Sequence, residues 1–199
     1  MNREDLTELH FITTVGNVPS ILQHGVLSHR RAAGFTHESI AMLAIQERRR
    51  GKVVPAGRPL HEYANLYINA RNKMMFKVMK SGDEVAAVVL RISEDVLDAP
   101  GVVIADQNAS SDHVRFAPSP RGLALIDKDT VFARYWTHPG DSIAEMRHGA
   151  LVCAEVLVPD VVAPRLILGA YVPDGPTKVR LQEAVPQLAV SVNADLFFQ

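Results

Sequence analysis

Apolar and polar positions alternate along this chain in short blocks, and no single period is held for long. Residues 7–13 (Thr-Glu-Leu-His-Phe-Ile-Thr) predict a first strand. Asn17-Val-Pro-Ser then supplies a helix cap with proline in the first turn, and Gly25 should end that helix. A second helix is expected to begin near Thr36, to carry Ile40, Leu43 and Ala44 inward, and to finish in Arg48-Arg49-Arg50, where positive charge suits a helix C-terminus. Gly51 closes it. After a Pro- and Gly-rich loop over Val54–Pro59, Ala64–Asn69 reads as a strand and Val85–Ile92 as the most buried one. Further strands are expected around 101–105, 151–158 and 166–172, then a helix around 177–188 and a last strand around 188–198. Runs of strands without regular βαβ alternation argue for an α+β fold, not a doubly wound sheet.

One glutamate interrupts this pattern. Ala150-Leu-Val-Cys-Ala-Glu-Val-Leu-Val158 is uncharged except for Glu155, and its β-branched content and boundary at Pro159 give it the character of a buried or half-buried strand. Strict alternation puts Leu151, Cys153, Glu155 and Leu157 on one face, so the carboxylate could simply meet solvent at a sheet edge. The alternative is a wall open to a cleft, because an ionised carboxylate without a nearby basic residue is costly to bury and useful beside a cationic transition state. A polar segment over roughly 106–148 precedes it, and long connections of that kind serve as lids or binding loops when they are ordered.

Composition narrows the function classes. The 199 residues are 47% hydrophobic with a formal net charge of -1, which suits one globular domain over 1–199 and excludes a grossly basic nucleic-acid coat protein. Cys153 is the single cysteine, so an internal disulfide and a Cys-rich zinc module are ruled out and a reducing cytoplasm is favoured. No stretch is long and apolar enough for a membrane span, and the start Met-Asn-Arg-Glu-Asp is acidic where a signal peptide is basic, so a cytoplasmic protein is expected. P-loop, Gly-x-Gly-x-x-Gly, His-Glu-x-x-His and Gly-x-Ser-x-Gly signatures are absent, and the histidines do not fall into metal-ligand spacing. Cys153 reads as a small buried hydrophobe, and His10 as a core histidine bonded to backbone unless it serves a ligand.

Three segments taken in order carry more information than any one of them: Leu9-His-Phe-Ile-Thr-Thr-Val-Gly-Asn-Val-Pro-Ser-Ile-Leu-Gln-His-Gly25, Leu60-His-Glu-Tyr-Ala-Asn-Leu-Tyr-Ile-Asn-Ala-Arg-Asn-Lys-Met-Met75 and Cys153-Ala-Glu-Val-Leu-Val158. Together they resemble the DarT family of DNA ADP-ribosyltransferase toxins. The resemblance implies an ADP-ribosyltransferase-like split pair of antiparallel sheets with peripheral helices, NAD⁺ in the cleft between them as co-substrate, no metal, and neutralisation by the macrodomain antitoxin DarG. It also implies the roles of individual residues. Glu155 matches the catalytic glutamate, and Arg49, with Arg48 and Arg50 as rivals, stands for a catalytic and NAD⁺-binding arginine whose planar fork would suit a pyrophosphate. His10, Asn17, Gly25, Tyr67 and Met74 fall at cofactor-binding positions. Arg71, His113, Arg115 and Arg147 are the candidates for nucleic-acid contacts, the last three within a segment that mixes basic and aromatic side chains as a single-strand platform does. Asn69-Ala-Arg-Asn-Lys-Met74 departs from the Pro-Arg-Ser-Pro-Met of many members, which turns the expected base in single-stranded DNA toward guanine over thymine. A monomer is expected. Transfer to RNA, protein or a terminal phosphate is the alternative on the same fold, and a non-catalytic nucleic-acid-binding module is the alternative from another class.

Overall fold

The computed structural model describes residues 1–55, 57–81 and 86–199. Val85 of the expected central strand and Ala56 of the expected loop lie outside the described residues. The chain opens with β1 (Leu9–Thr14), α1 (Val18–His24), β2 (Val26–Leu27) and α2 (His29–Ala32). Next come α3 (Leu43–Arg50), β3 (Tyr63–Tyr67), α4 (Lys73–Lys80), β4 (Ala87–Ile92), β5 (Val103–Ala105) and β6 (Phe116–Pro118). The second half adds α5 (Lys128–Val131), α6 (Ser142–Leu151), β7 (Glu155–Pro159), β8 (Val161–Val162), β9 (Ile167–Val172), α7 (Gly175–Ala184) and β10 (Val190–Val192).

Eight strands form one sheet in the order β10-β9-β4-β1-β3-β7-β5-β6, and β2 pairs with β8 in a small second sheet. The pairing is antiparallel except between β9 and β10, where Val190 sits beside Ala170 in parallel register. The middle of the large sheet matters most. β1 pairs with β4 from Leu9 to Thr14, and β3 pairs with β7 from Tyr63 to Tyr67, but β1 and β3 share only the pair His10–Tyr67. Beyond that point the two strands diverge, so the sheet splits into halves with a gap between them.

Apolar side chains cover both faces. Leu9, Leu66, Leu90, Ile104 and Val156 belong to one cluster, while Ile12, Tyr67, Met75, Val89 and Cys153 belong to another on the opposite face. The period-2 alternation of β1, β3, β4 and β7 sorts these residues. β4 is buried on both faces at its centre, which is why its sequence reads as a continuous apolar run. α4 starts at Asn72, whose side chain accepts from the N–H groups of Met74 and Met75, and it lowers Met75 and Val78 onto the sheet.

Several expectations are corrected. Asn17 does not cap α1 with its side chain, which is engaged elsewhere. The second helix starts at Leu43, not near Thr36, and turns Leu43 outward at 84% exposure, while Arg49 is its buried residue. The apolar run 150–158 is not one strand, because α6 continues to Leu151 and the strand begins at Glu155. Residues 106–148 are not structureless: they hold β6, α5 and most of α6. The last strand is only Val190–Val192.

Candidate active site

Glu155 opens β7 and lies between Tyr67 of β3 and Ala105 of β5, next to the point where the sheet splits. Its side chain is 0% exposed. A carboxylate there needs compensation, and the fold supplies it from far away in sequence. Arg49, in the last turn of α3, donates from Nη1 to both carboxylate oxygens and from Nη2 to Oε2, all at 3.1 Å. The backbone N–H of Ala109 donates to Oε1 at 3.0 Å. Arg49 itself is 5% exposed. Burial works against its charge, yet the attraction of Glu155 prevails and holds the guanidinium above its usual value.

Two neighbouring groups resist proton loss. Burial and the neighbouring Glu155 hold the Tyr67 phenol well above its usual value, and its O–H points to Met74 Sδ at 2.9 Å. Burial pushes the Cys153 thiol up to about 11, which excludes it as a nucleophile near neutral pH.

A cavity of about 1210 Å³ occupies the gap in the sheet and the space under α3, α4 and α6. Phe11, Ile12 and Thr13 line it from β1, and Tyr63, Asn65 and Tyr67 from β3, as two diverging strand edges should. The volume exceeds that of ordinary small-ligand pockets, roughly 300–1,000 Å³, so a dinucleotide fits. Asn17 lines it and grips the 33–42 connection with both ends of its amide: Nδ2 donates to the Glu38 carbonyl at 2.8 Å and Oδ1 accepts from the Glu38 N–H at 2.9 Å. Gly25 lines it with φ of 84°, and a Cβ there would lie 2.2 Å from the Val162 carbonyl oxygen, so only glycine fits between α1 and β8. Met74, His113 and Arg147 also reach this cavity.

Other expected residues are not brought together. His10 faces a separate cavity of about 270 Å³, with Nδ1 3.2 Å from the Ile68 carbonyl and Nε2 3.3 Å from Glu8. It fastens the two halves of the sheet at their shared pair and does not reach the large cavity. Arg71 lays its guanidinium 4.0 Å over the Phe198 ring and donates to the Asp195 carbonyl, facing the C-terminal segment. Arg115 is held by Asp106 at 2.6 Å and by the Leu125 carbonyl at 3.2 Å, away from the cavity wall. Among the arginine rivals, Arg48 lines the cavity without touching Glu155, and Arg50 pairs with Glu47 on the surface. Arg49 spends on Glu155 the fork that the sequence assigns to a pyrophosphate.

Sequence reasoning missed Phe11, Thr13, Lys73, Lys77 and the Ala109 N–H. Alternation along β1 does not pick them out, because Ile12, on the face of His10, lines the same cavity. Nothing in a sequence marks a backbone donor such as Ala109. Among the described residues no group of three or more His, Cys, Asp or Glu side chains is arranged to hold a metal ion. No described helix is long and apolar enough to cross a membrane.

Known proteins share this fold. The fold resembles Thermosipho africanus DarTG in complex with ADP-ribose, with a TM-score of 0.84 and 25% identity over 97% of this chain and 51% of that one. It also resembles Thermus sp. 2.9 DarT in complex with ADP-ribosylated ssDNA, with a TM-score of 0.82 and 23% identity over 99% of both chains. In sequence, the chain is 31% identical over 142 residues to the DNA ADP-ribosyl transferase of Thermus sp. (strain 2.9), covering 67% of this chain and 68% of the relative. It is 28% identical over 200 residues to a DNA ADP-ribosyl transferase-DNA ADP-ribosyl glycohydrolase fusion protein of Thermosipho africanus (strain H17ap60334), covering 96% of this chain. The chain spans about half the length of that fusion protein, 49%. The family model described as "ssDNA thymidine ADP-ribosyltransferase, DarT" matches residues 10–198. With that match across nearly the whole sequence, and a glutamate held at the mouth of a split sheet, the chain belongs to the DarT family.

Proposed function

We propose that this protein transfers ADP-ribose from NAD⁺ to a base in single-stranded DNA and releases nicotinamide. The observation that carries the reading is the buried ion pair of Glu155 with Arg49, whose side chain lines a cavity with room for the dinucleotide and an acceptor base. A binding module gains little from such a pair, since isolated buried carboxylates are costly and are kept where they act. As the bond between nicotinamide and ribose breaks, positive charge develops on the ribose carbon that the attacking base nitrogen is approaching. A fixed carboxylate beneath it stabilises that charge, and the nitrogen's proton has an acceptor in the same group. Arg49 and the Ala109 N–H hold Glu155 in one orientation, so little reorganisation is needed during the reaction.

NAD⁺ would rest on Asn17, Gly25, Tyr67 and Met74, with the acceptor strand on the side of His113 and Arg147. The relatives named above are described as acting on or binding DNA, which supports this acceptor over RNA, protein or a terminal phosphate. For the base, the guanine reading drew on residues 69–74. In the fold, Asn69 and Asn72 spend their side chains on the Val131 carbonyl, the Arg71 N–H and the start of α4. The family description names thymidine, and we take thymidine as the acceptor. Reversal by a macrodomain hydrolase of the DarG kind, action as a monomeric single domain, and a cytoplasmic setting complete the reading.

Incubation with NAD⁺ and oligonucleotides lacking one base at a time, followed by mass analysis for an added ADP-ribose, tests it. Labelling should vanish with thymine. Labelling that depends on guanine instead overturns the base, and labelling of protein or RNA alone overturns the acceptor.

A further inference from the structure

The ion pair of Arg49 with Glu155 leaves a charge unanswered. Both substrates of the proposed reaction bring phosphates, and the arginine best placed to meet them has its Nη atoms on a carboxylate. Carboxylates on the described cavity wall are Glu38 and Asp112, of which Asp112 is paired with Lys52 at 3.1 Å, while Glu155 lies behind the wall, paired with the wall residue Arg49. Against these, Arg48, Lys73, Lys77 and Arg147 line the same wall with no carboxylate partner among the described residues. Among the described residues, the cavity wall of a chain of net charge -1 therefore carries more unpaired positive charge than the one unpaired carboxylate, Glu38, answers.

Lys73 and Lys77 are one turn apart on α4, so their side chains leave the same helix face, and both reach the cavity. The Lys73 stem lies across Gly149 of α6, where a Cβ would come 3.0 Å from Lys73 Cδ and 3.1 Å from Nζ. The bare backbone at Gly149 is thus a groove that seats this lysine against α6 instead of leaving it to sweep through solvent. Among the described residues the hydrogen-bond partner of Lys77 is Met42 Sδ, at 3.6 Å, a weak acceptor that an anion would readily replace. We propose that Lys73 and Lys77 form a phosphate-binding pair that positions one of the two substrates against Glu155. The ligand chemistry is a phosphate oxygen with a full negative charge, supplied either by the diphosphate of NAD⁺ or by a phosphodiester of the acceptor strand. This inference rests on the proposed function and adds to it residues for which neither the motifs nor the relatives' descriptions give a role.

The test is the double variant Lys73→Gln/Lys77→Gln, with Lys80→Gln, on the same helix but off the cavity wall, as control. NAD⁺ binding is measured by calorimetry, and binding of a labelled single-stranded oligonucleotide by anisotropy across a series of salt concentrations. The pair predicts a loss of tenfold or more for at least one ligand, an unchanged melting temperature, and recovery in Lys73→Arg/Lys77→Arg. A loss confined to NAD⁺ assigns the diphosphate. A loss confined to the oligonucleotide, with the log–log salt slope reduced by roughly 1.4 for two lost contacts, assigns the strand. If the double variant melts early, Lys77→Gln alone serves, since that side chain is exposed. Wild-type affinity for both ligands in a folded glutamine variant overturns the pair and leaves the proposed function standing. A wild-type protein that binds neither ligand takes both down.

Discussion

A carboxylate that accepts four N–H bonds in a dry wall is fixed in place and hard to remove cleanly. Glu155→Gln keeps the shape and deletes the charge, so transfer should fall at least about a hundredfold, about 2.7 kcal/mol of transition-state stabilisation. Near wild-type turnover in that variant would sink the assignment. Glu155→Ala should also destabilise the fold by about 3–5 kcal/mol, because Arg49 would be left buried without its counter-charge, and a denaturant midpoint shows it. Glu8 makes a second prediction at this scale. Burial alone would raise its pKa, but the bonds from His10 and from Arg91, the latter at 2.7 Å, outweigh burial and bring it from 4.5 to about 2. A depressed carboxylate lends stability that is complete above its unfolded pKa and fades as pH falls through the folded one. Melting temperature should therefore drop between about pH 4.5 and 2, and Glu8→Gln should flatten that drop. An equal slope in the two proteins would show that the Glu8 cluster contributes nothing.

Elements carry their own constraints. Where α1 gives way to β2, Gly25 combines a left-handed φ of 84° with an approach to β8 that leaves no room for a Cβ. Gly25→Ala should cost about 2 kcal/mol or more, from the backbone strain and the clash together, and should weaken NAD⁺ binding because α1 and the small sheet line the cavity. A midpoint within about 0.5 kcal/mol of wild type would contradict the geometry. Helix and strand positions were legible where periodicity and punctuation agree, as for α1 ending at Gly25 and for β4. They were illegible where the apolar signal serves two masters. The run from Ala150 to Val158 is apolar throughout, so nothing in it marks the change from the end of α6 to β7 at Glu155. In α3, Leu43 and Arg49 exchange the roles that hydropathy gives them, because a buried partner carboxylate overrides the preference of arginine for water.

For the molecule as a whole, charge placement matters more than total charge. Association with single-stranded DNA should weaken steeply with salt despite the net charge of -1, and Arg147→Ala should reduce the log–log slope by about 0.7, the value of one phosphate contact. A slope unchanged by this substitution removes Arg147 from the strand's path. Duplex DNA should be modified far less than single strands, because a stacked base presents no free edge to a cavity set between two half-sheets. Equal labelling of duplex would mean that the protein extrudes bases unaided.

The sequence by itself determined the α+β class, most strand positions, and the peculiarity of Glu155. Each of these is local: a hydropathy period, a glycine at a turn, a charge in an apolar run. The family resemblance pointed to Arg49 with Arg48 and Arg50 as rivals, but not to what any of them touches. Only the tertiary structure decided that Arg49 meets a carboxylate 106 residues away, that His10 fastens the halves of the sheet outside the large cavity, and that Arg71 and Arg115 have partners elsewhere. These are pairings between distant segments. They are set by strand order and by the divergence of β1 from β3 after a single shared pair, quantities that no window of sequence contains.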